Sequence, residues 1–491
     1  MKGILNPFDH FVGSDRLQKP FSILTLICLL ALSALITSKI GIVGGLGLFI
    51  LPFLFSYLYL LFRFPIIGLY TSIILGFVLM GLGRYLTGLS LGLIMDGILI
   101  LTLLALIFNR FNERIDWSPA NKDITYLALI WFGYSLFELV NPESRSVAAW
   151  FSGRGIAFYM LILVPLTLLF IDTNRKLDYF LYLWGIFTLL VTLKGFIQMK
   201  FGVDHWEQAW LDEGNYKTHI LFGKLRVFSF LSDAGQFGAN EAYSGVMAAI
   251  VSMAQKDWRK KLFFLVVAFA GFFGMIVSGT RGAISIPLGG FMAFFVLRKN
   301  IRVMSIGFVL MIIVFIFFKY TSIGQGNDQI RRMRTAFDPN DASLQVRLEN
   351  QKRLKVYLAS RPFGGGIGHG GVKAQKYLPN AFLSQVATDS GYVLIWVEEG
   401  IIGLLLHLFI LFYVVGKSSY CIMFRIRDPI LRLKMSALTA GMFGIMVANY
   451  GNAVLYQMPT SMLIYTSMAI MMNSEKLDTP EKVDDLSLNI S

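Results

Sequence analysis

"MIVSGTRGAISIPLGG", residues 275–290, sets one charge inside a run that is otherwise apolar enough for a membrane. An apolar run is interrupted by a serine, a threonine and an arginine, and then resumes. A guanidinium at a bilayer centre costs roughly 2.5 to 3.5 kcal/mol on insertion scales. Arg281 therefore belongs at a membrane boundary, where water meets it, or against a buried partner. The rest of the chain chooses between the two.

The chain has 491 residues, 55% of them hydrophobic and 15% charged, with 43 Phe and 20 Tyr. A soluble domain carries roughly a quarter charged residues. The apolar residues fall in blocks that match the about 17 to 25 residues needed to cross a hydrocarbon core. The expected fold class is all-α, a polytopic membrane protein; a β-barrel would show short alternating segments. About fourteen spans are expected, at 21–38, 41–62, 64–83, 86–108, 124–140, 155–171, 178–199, 235–254, 262–278, 282–297, 301–318, 391–416, 435–452 and 454–472. The first twenty residues lack a small-residue cleavage site after a short apolar core, so the first span reads as retained.

Basic residues orient the set. "QKDWRKK" (255–261), "RKNIR" (298–302) and the 417–434 stretch share one side if the spans alternate. Both termini, "NRFNER" (109–114) and "DTNRK" (172–176) fall there too. That side is expected to be the cytoplasm. Arg281 then sits at the outer face, in a tight turn between two spans. The outer connections are 141–154, 200–234 and a long one at 319–390. In the last, "DASLQVRLENQKRLKVYLASRP" (341–362) has helix formers throughout, Asp341 or Ser343 as a possible N-cap and a closing proline. "GGGIGHGG" (364–371) follows.

These outer connections are rich in cations, among them Arg226, Arg281, Arg331, Arg332, Arg334, Arg347, Arg353 and Arg361. Long translocated segments are exempt from the positive-inside rule. The plain reading is a solvated face near lipid headgroups; the sharper one is a site for an anionic substrate, since guanidinium forks grip phosphate oxygens in pairs. Nucleic acid is excluded as a partner by the extracytoplasmic location. Cys28 and Cys421 are too few and too far apart for a disulfide framework. The five histidines lack ligand spacing, so no metal site and no cofactor are expected. "VVGKS" (414–418) imitates the end of a phosphate-binding loop but lacks its leading glycine. Within the spans stand Asp96, Lys194 and His407; Lys194 can snorkel outward, and His407 reads as a packed, hydrogen-bonded residue.

"TDSGYVLIWVEEGIIGLLLHL" (388–408) opens a span with a polar pair, then nine residues, then Gly400 and Gly403. This resembles the signature of the O-antigen ligase and polymerase superfamily, in whose ligase branch a His and a small polar residue precede nine residues and GxxG. Asp389 occupies the His place and Ser390 the polar place. "SGTRGA" (278–283), "VRLENQKRLKVYLASRPFGGGIG" (346–368) and "LRVFSFLSDAGQFGA" (225–239) resemble further family segments, in the family's order. The resemblance covers about residues 200–420, between N-terminal helices (1–199) and C-terminal helices (421–475) with a tail (476–491). It implies a glycosyltransferase acting on undecaprenyl-diphosphate-linked oligosaccharide at the periplasmic face, without a metal ion, toward a glycan, lipid or protein acceptor. It implies Asp389 as general base and Arg281, Arg347 and Arg226 as phosphate contacts, with His369 as a rival base. For Asp389 the plain alternative is an N-cap of the following span. The missing His favours a polymerase over a ligase. Two other classes stay open: a lipid-linked oligosaccharide flippase, and a non-catalytic subunit of a glycan assembly complex.

Overall fold

A computed structural model describes residues 38–39, 42–86, 91–109, 116–221, 223–326, 328–335 and 342–478. The first expected span, most of 109–114, the N-cap at Asp341, the Ser343 side chain and most of the 476–491 tail lie outside them. The described chain is overwhelmingly helical, and its only strands are the two-residue pair Ile220–Leu221 and Lys224–Leu225.

The principal helices are α1 (Ile42–Arg63), α2 (Ile66–Leu82), α3 (Leu91–Asn109), α4 (Asp123–Phe137), α5 (Val147–Gly153), α6 (Gly155–Phe170) and α7 (Asn174–Phe201). There follow α8 (His205–Trp210), α9 (Ala234–Ala254), α10 (Trp258–Val277), α11 (Ser285–Leu297), α12 (Ile301–Tyr320) and α13 (Asp328–Arg334). The last four are α14 (Ala342–Leu358), α15 (Gly391–Phe424), α16 (Pro429–Ala448) and α17 (Thr460–Met472). A helix thus lies over each expected span from residue 41 onward. Among the described residues seven helices are long and apolar enough to cross a membrane, or eight if the bent pair α5–α6 is one span. Others, such as α2 and α17, are shorter apolar helices.

Burial separates two kinds of helix. α9 and α17 are buried along almost their whole length, whereas α12 buries only Gly307 and turns its Ile, Val and Phe side chains outward. An outward apolar face of that length suits lipid, not water. The inner helices approach closely where a side chain is missing. A Cβ at Gly271 of α10 would lie 2.6 Å from the Glu241 carbonyl of α9, and one at Gly444 of α16 would lie 2.4 Å from the Ile286 carbonyl of α11. Small residues at such crossings let backbones pack, the usual device between membrane helices.

Contacts sort the connections into two ends. One end joins Lys122 to Asn473 (2.9 Å), Asn174 to the Leu477 carbonyl (2.9 Å), Lys299 to the Met423 carbonyl (3.2 Å) and Lys417 to Asp123. The other joins Arg361 to Glu143 (3.0 Å), Arg84 to the Ser229 carbonyl (2.9 Å) and Arg226 to Thr280 (3.0 Å). The three ionisable groups expected inside spans are also accounted for. Asp96 pairs with Arg154, and Lys194 reaches Glu207 (3.0 Å) and Asp204 (3.2 Å) in the connection beyond α7. His407 Nε2 lies 2.9 Å from the Tyr456 hydroxyl.

One boundary is displaced. Spans were expected at 435–452 and 454–472, but α16 stops at Ala448 and α17 starts at Thr460. Residues 449–459 form an open connection, because Asn449, Gly451, Asn452 and Pro459 supply turn chemistry inside an apolar stretch.

Candidate functional site

Arg281 stands in the turn between α10 and α11, as its sequence requires. α10 ends at Val277, Gly279 takes a left-handed φ of 57°, and a 3-10 turn over Arg281–Ile284 leads into α11. The turn is tied down by short polar side chains. Ser278 Oγ donates to the Met275 carbonyl (2.7 Å) and accepts from the Thr280 N–H (3.1 Å), while Thr280 Oγ1 donates to the Ala234 carbonyl at the head of α9 (2.8 Å).

Arg226 comes to the same turn from another element. The small hairpin ending at Leu225 delivers it, and its guanidinium donates to the Thr218 carbonyl (2.9 Å) and to Thr280 Oγ1 (3.0 Å). Its Nε is buried without a hydrogen-bond partner. Behind the hairpin, Arg84 holds residues 229–232 by donating to the Ser229 (2.9 Å), Leu231 and Ser232 (3.2 Å) carbonyls. Its guanidinium also stacks on Trp210 and Phe228. Burial lowers the Arg84 pKa to about 10, so it is still a cation at neutral pH.

A third arginine joins them from the long connection. Arg332, on α13, lies beside the Gly279 turn, where a Cβ on that glycine would be 3.5 Å from its Cδ. Arg281 reaches the same segment, donating to Thr335 Oγ1 (3.0 Å). The Arg332 pKa is lowered to about 10, first by burial and then by the positive charges of Arg226 and Arg281. Arg226 is lowered too, first by burial and to a lesser degree by Arg281, while the Asp233 carboxylate raises it.

Asp389 and Arg347 form a second group. Arg347, on α14, donates from Nε to Asp389 Oδ2 at 3.3 Å, at the mouth of α15. Asp389 does not cap that helix: Ser390 is the N-cap residue, and its Oγ accepts from the Val393 N–H at 3.4 Å. The Asp389 side chain is 44% exposed and faces a cleft between α14 and α15.

The 449–459 connection links the two groups. Asn449 accepts the Gly391 N–H through its carbonyl (2.9 Å), and Tyr450 and Gly451 line the Asp389 cleft. One residue on, the Asn452 amide abuts Gly282, where a Cβ would sit 2.7 Å from its Nδ2. Farther along, Gln457 accepts from Ser232 Oγ (2.7 Å) in the Arg226 connection.

His369 belongs to neither group. It is 3% exposed. Its Nδ1 faces the Ile367 carbonyl (2.9 Å), and its Nε2 accepts the N–H groups of Arg145 (3.0 Å) and Ser146 (3.2 Å) just before α5. The ring is therefore neutral with its proton on Nδ1, and burial holds its pKa below the ordinary value. Its lone pair is already in use. The glycines around it serve close packing. Gly364 and Gly400 both take left-handed φ (75° and 67°), and a Cβ on Gly364 would be 2.4 Å from the Gly400 nitrogen. Gly400 breaks α15 there, which lets the glycine-rich turn seat against Val397 and Glu398 through N–H bonds of 2.8 and 2.9 Å.

Of the five residues singled out by sequence, Arg226 and Arg281 are brought together, Arg347 and Asp389 are brought together, and His369 stands apart. Arg332 had been noted only as one of many outer cations. The "RRMR" run around it carries no signal in sequence; only the fold sets Arg332 beside Gly279. The 449–459 connection was legible as turn residues within an apolar run. Among the described residues no three His, Cys, Asp or Glu side chains are grouped to hold a metal ion.

Residues 245–408 match the family model described as O-antigen ligase. The matched segment runs from within α9 into α15 and contains Arg281, Arg332, Arg347 and Asp389, while Arg226 lies before it. The match supports the superfamily that the motifs resemble. No curated protein and no solved structure matches the chain.

Proposed function

We propose that this chain, whose residues 245–408 belong to the O-antigen ligase/polymerase superfamily, is a metal-independent membrane glycosyltransferase. Its substrate is an oligosaccharide carried on undecaprenyl diphosphate, which it polymerises or transfers at the periplasmic face of a bacterial inner membrane. The observation that carries the reading is the convergence of Arg226, Arg281 and Arg332 on one turn, with the 449–459 connection touching both that turn and the cleft of the Asp389–Arg347 pair. The excess of Lys and Arg in the short connections of the opposite end supports a cytoplasmic assignment for that end.

The chemistry follows from the two groups. The acceptor hydroxyl oxygen forms a bond to the anomeric carbon, and its proton passes to the Asp389 carboxylate. The bond from the anomeric carbon to the diphosphate oxygen breaks, and the electron pair leaves on undecaprenyl diphosphate. Guanidinium donors stabilise that charge without proton exchange, as preorganised cations do at a departing phosphate. The proton on Asp389 returns to water.

The test is transfer by the purified full chain in liposomes that contain undecaprenyl-diphosphate-linked oligosaccharide. Release of undecaprenyl diphosphate with a matching gain of glycan is expected. Movement of the intact lipid-linked oligosaccharide between leaflets, with the glycosyl phosphate bond unbroken, would instead establish the flippase reading.

A further inference from the structure

We infer that Arg84 and His219 are positioning residues for Arg226, and that they build a cradle at the outer connection which aims its guanidinium at the turn of Arg281. The inference rests on the reading of the three arginines as the group that holds an anionic donor. Both cradle residues lie before residues 245–408, the segment that matches the family model.

Arg226 sits in a closed ring of hydrogen bonds that joins three elements. Its backbone N–H donates to the His219 carbonyl (2.7 Å), and its guanidinium donates to Thr280 Oγ1 (3.0 Å). That hydroxyl donates to the Ala234 carbonyl at the head of α9 (2.8 Å). The Ala234 N–H donates in turn to His219 Nε2 (3.3 Å), which closes the ring. The imidazole is therefore neutral, with its proton on Nδ1 toward the Asn215 carbonyl (3.0 Å). Without that ring nitrogen, the segment whose carbonyls hold Arg226 loses this tie to α9.

Arg84 fixes the other limb. It donates to the carbonyls of Ser229 (2.9 Å), Leu231 and Ser232 (3.2 Å), on the path from Arg226 to α9. The same two rings, Trp210 and Phe228, contact both cradle residues. Their centroids are 4.5 and 4.4 Å from the Arg84 guanidinium and 4.9 and 5.4 Å from the His219 ring.

Ser229 shows what this arrangement enforces. It has a left-handed φ of 53°, a conformation that residues other than glycine adopt rarely. All of its polar groups are held: its N–H donates to Gln198 Oε1 (2.7 Å), its hydroxyl to the Val191 carbonyl (2.6 Å), and its carbonyl accepts from Arg84. Backbone kept in such a region by surroundings that over-determine it is a mark of preorganised sites. Arg84 is 6% exposed and His219 4%, so neither meets a substrate itself. Each acts through Arg226.

The test is a double-mutant cycle on the full chain in nanodiscs, read as binding of undecaprenyl diphosphate. Arg226→Ala should weaken binding about tenfold or more, the scale of lost hydrogen bonds from a charged group. Arg84→Lys keeps the charge but lacks the planar fork, and His219→Phe keeps the ring contacts but has no acceptor. Each should weaken binding about threefold to tenfold, the scale of one misplaced contact. In the Arg226→Ala background neither should cost more than about a further twofold, since the guanidinium they aim is gone. Full single-variant costs that persist in that background would overturn the cradle and leave the donor reading standing, because residues that merely hold the fold together act whichever arginines remain. Unchanged binding in both single variants would overturn it too. Arg226→Ala that binds like the wild type would refute the donor reading and the cradle with it. Melting curves check folding, and the His219→Phe cycle decides if Arg84→Lys does not fold.

Discussion

The two ends of the helix bundle treat positive charge differently. At one end several cations meet carboxylates within the chain: Lys434 meets Asp178 at 2.5 Å, Lys176 meets Asp172 at 2.8 Å, and Lys417 meets Asp123. The other end also has matched pairs, such as Arg361 with Glu143, but there Arg226, Arg281 and Arg332 crowd one another around a turn. A charge balanced inside the chain contributes to folding alone. A cluster of one sign, set where three elements meet, is what the proposed function uses to hold an anionic substrate.

The comparison breaks most completely if the ends face the wrong compartments. In a background without Cys28 and Cys421, Ser322→Cys should react with a membrane-impermeant thiol reagent in intact cells and Arg427→Cys should not. The reverse pattern would put the arginines in the cytoplasm and end the proposal. Next in size is Asp389→Asn. Since Ser390 caps α15, this change removes basicity and leaves the helix start in place. Turnover of the purified protein should fall at least about a hundredfold, the scale of a lost general base, with binding of the lipid-linked donor retained.

Arg281→Lys and Arg332→Lys should each lower transfer about tenfold or more, because an ammonium keeps the charge but lacks the planar pair of donors. At the opposite end, Lys434→Met should lower stability by about 1–3 kcal/mol and leave turnover per folded molecule unchanged. Breaking a fully buried pair costs about 3–5 kcal/mol, and Asp178 keeps water access that reduces this. A large loss of turnover in that variant would erase the distinction between the ends.

The smallest effect is expected at His369. Its folded pKa lies below its ordinary 6.5 because burial disfavours the charged ring. Protons then bind the unfolded chain first, so this contribution to stability is present above about pH 6.5 and is lost as pH falls toward the folded pKa. His369→Gln should flatten that dependence in melting curves below pH 6.5 and change transfer little. A dead His369→Gln beside an active Asp389→Asn would move the base into the glycine turn.

Apolar blocks alone placed the helices and their rough limits, because about twenty apolar residues in a bilayer leave the backbone few other ways to satisfy its hydrogen bonds. The sequence also determined the turn at Arg281, since a charge between two such blocks has to sit at a boundary, and it marked Asp389 through its spacing from Gly400 and Gly403. It did not separate Asp389 from Ser390 as the cap, because both residue types cap well. Gly400 was visible as a letter in a motif, but not as the break in α15 that seats the glycine-rich turn. His369 looked reactive because two backbone N–H groups from residues 145 and 146, far away in the chain, cannot be read beside it. Only the tertiary structure brought Arg332 to Arg226 and Arg281, and only it set residues 449–459 between the arginines and Asp389. Periodicity and turn chemistry are local and survive in one dimension. Which cations come together is decided by contacts between elements more than fifty residues apart, and no local pattern encodes those.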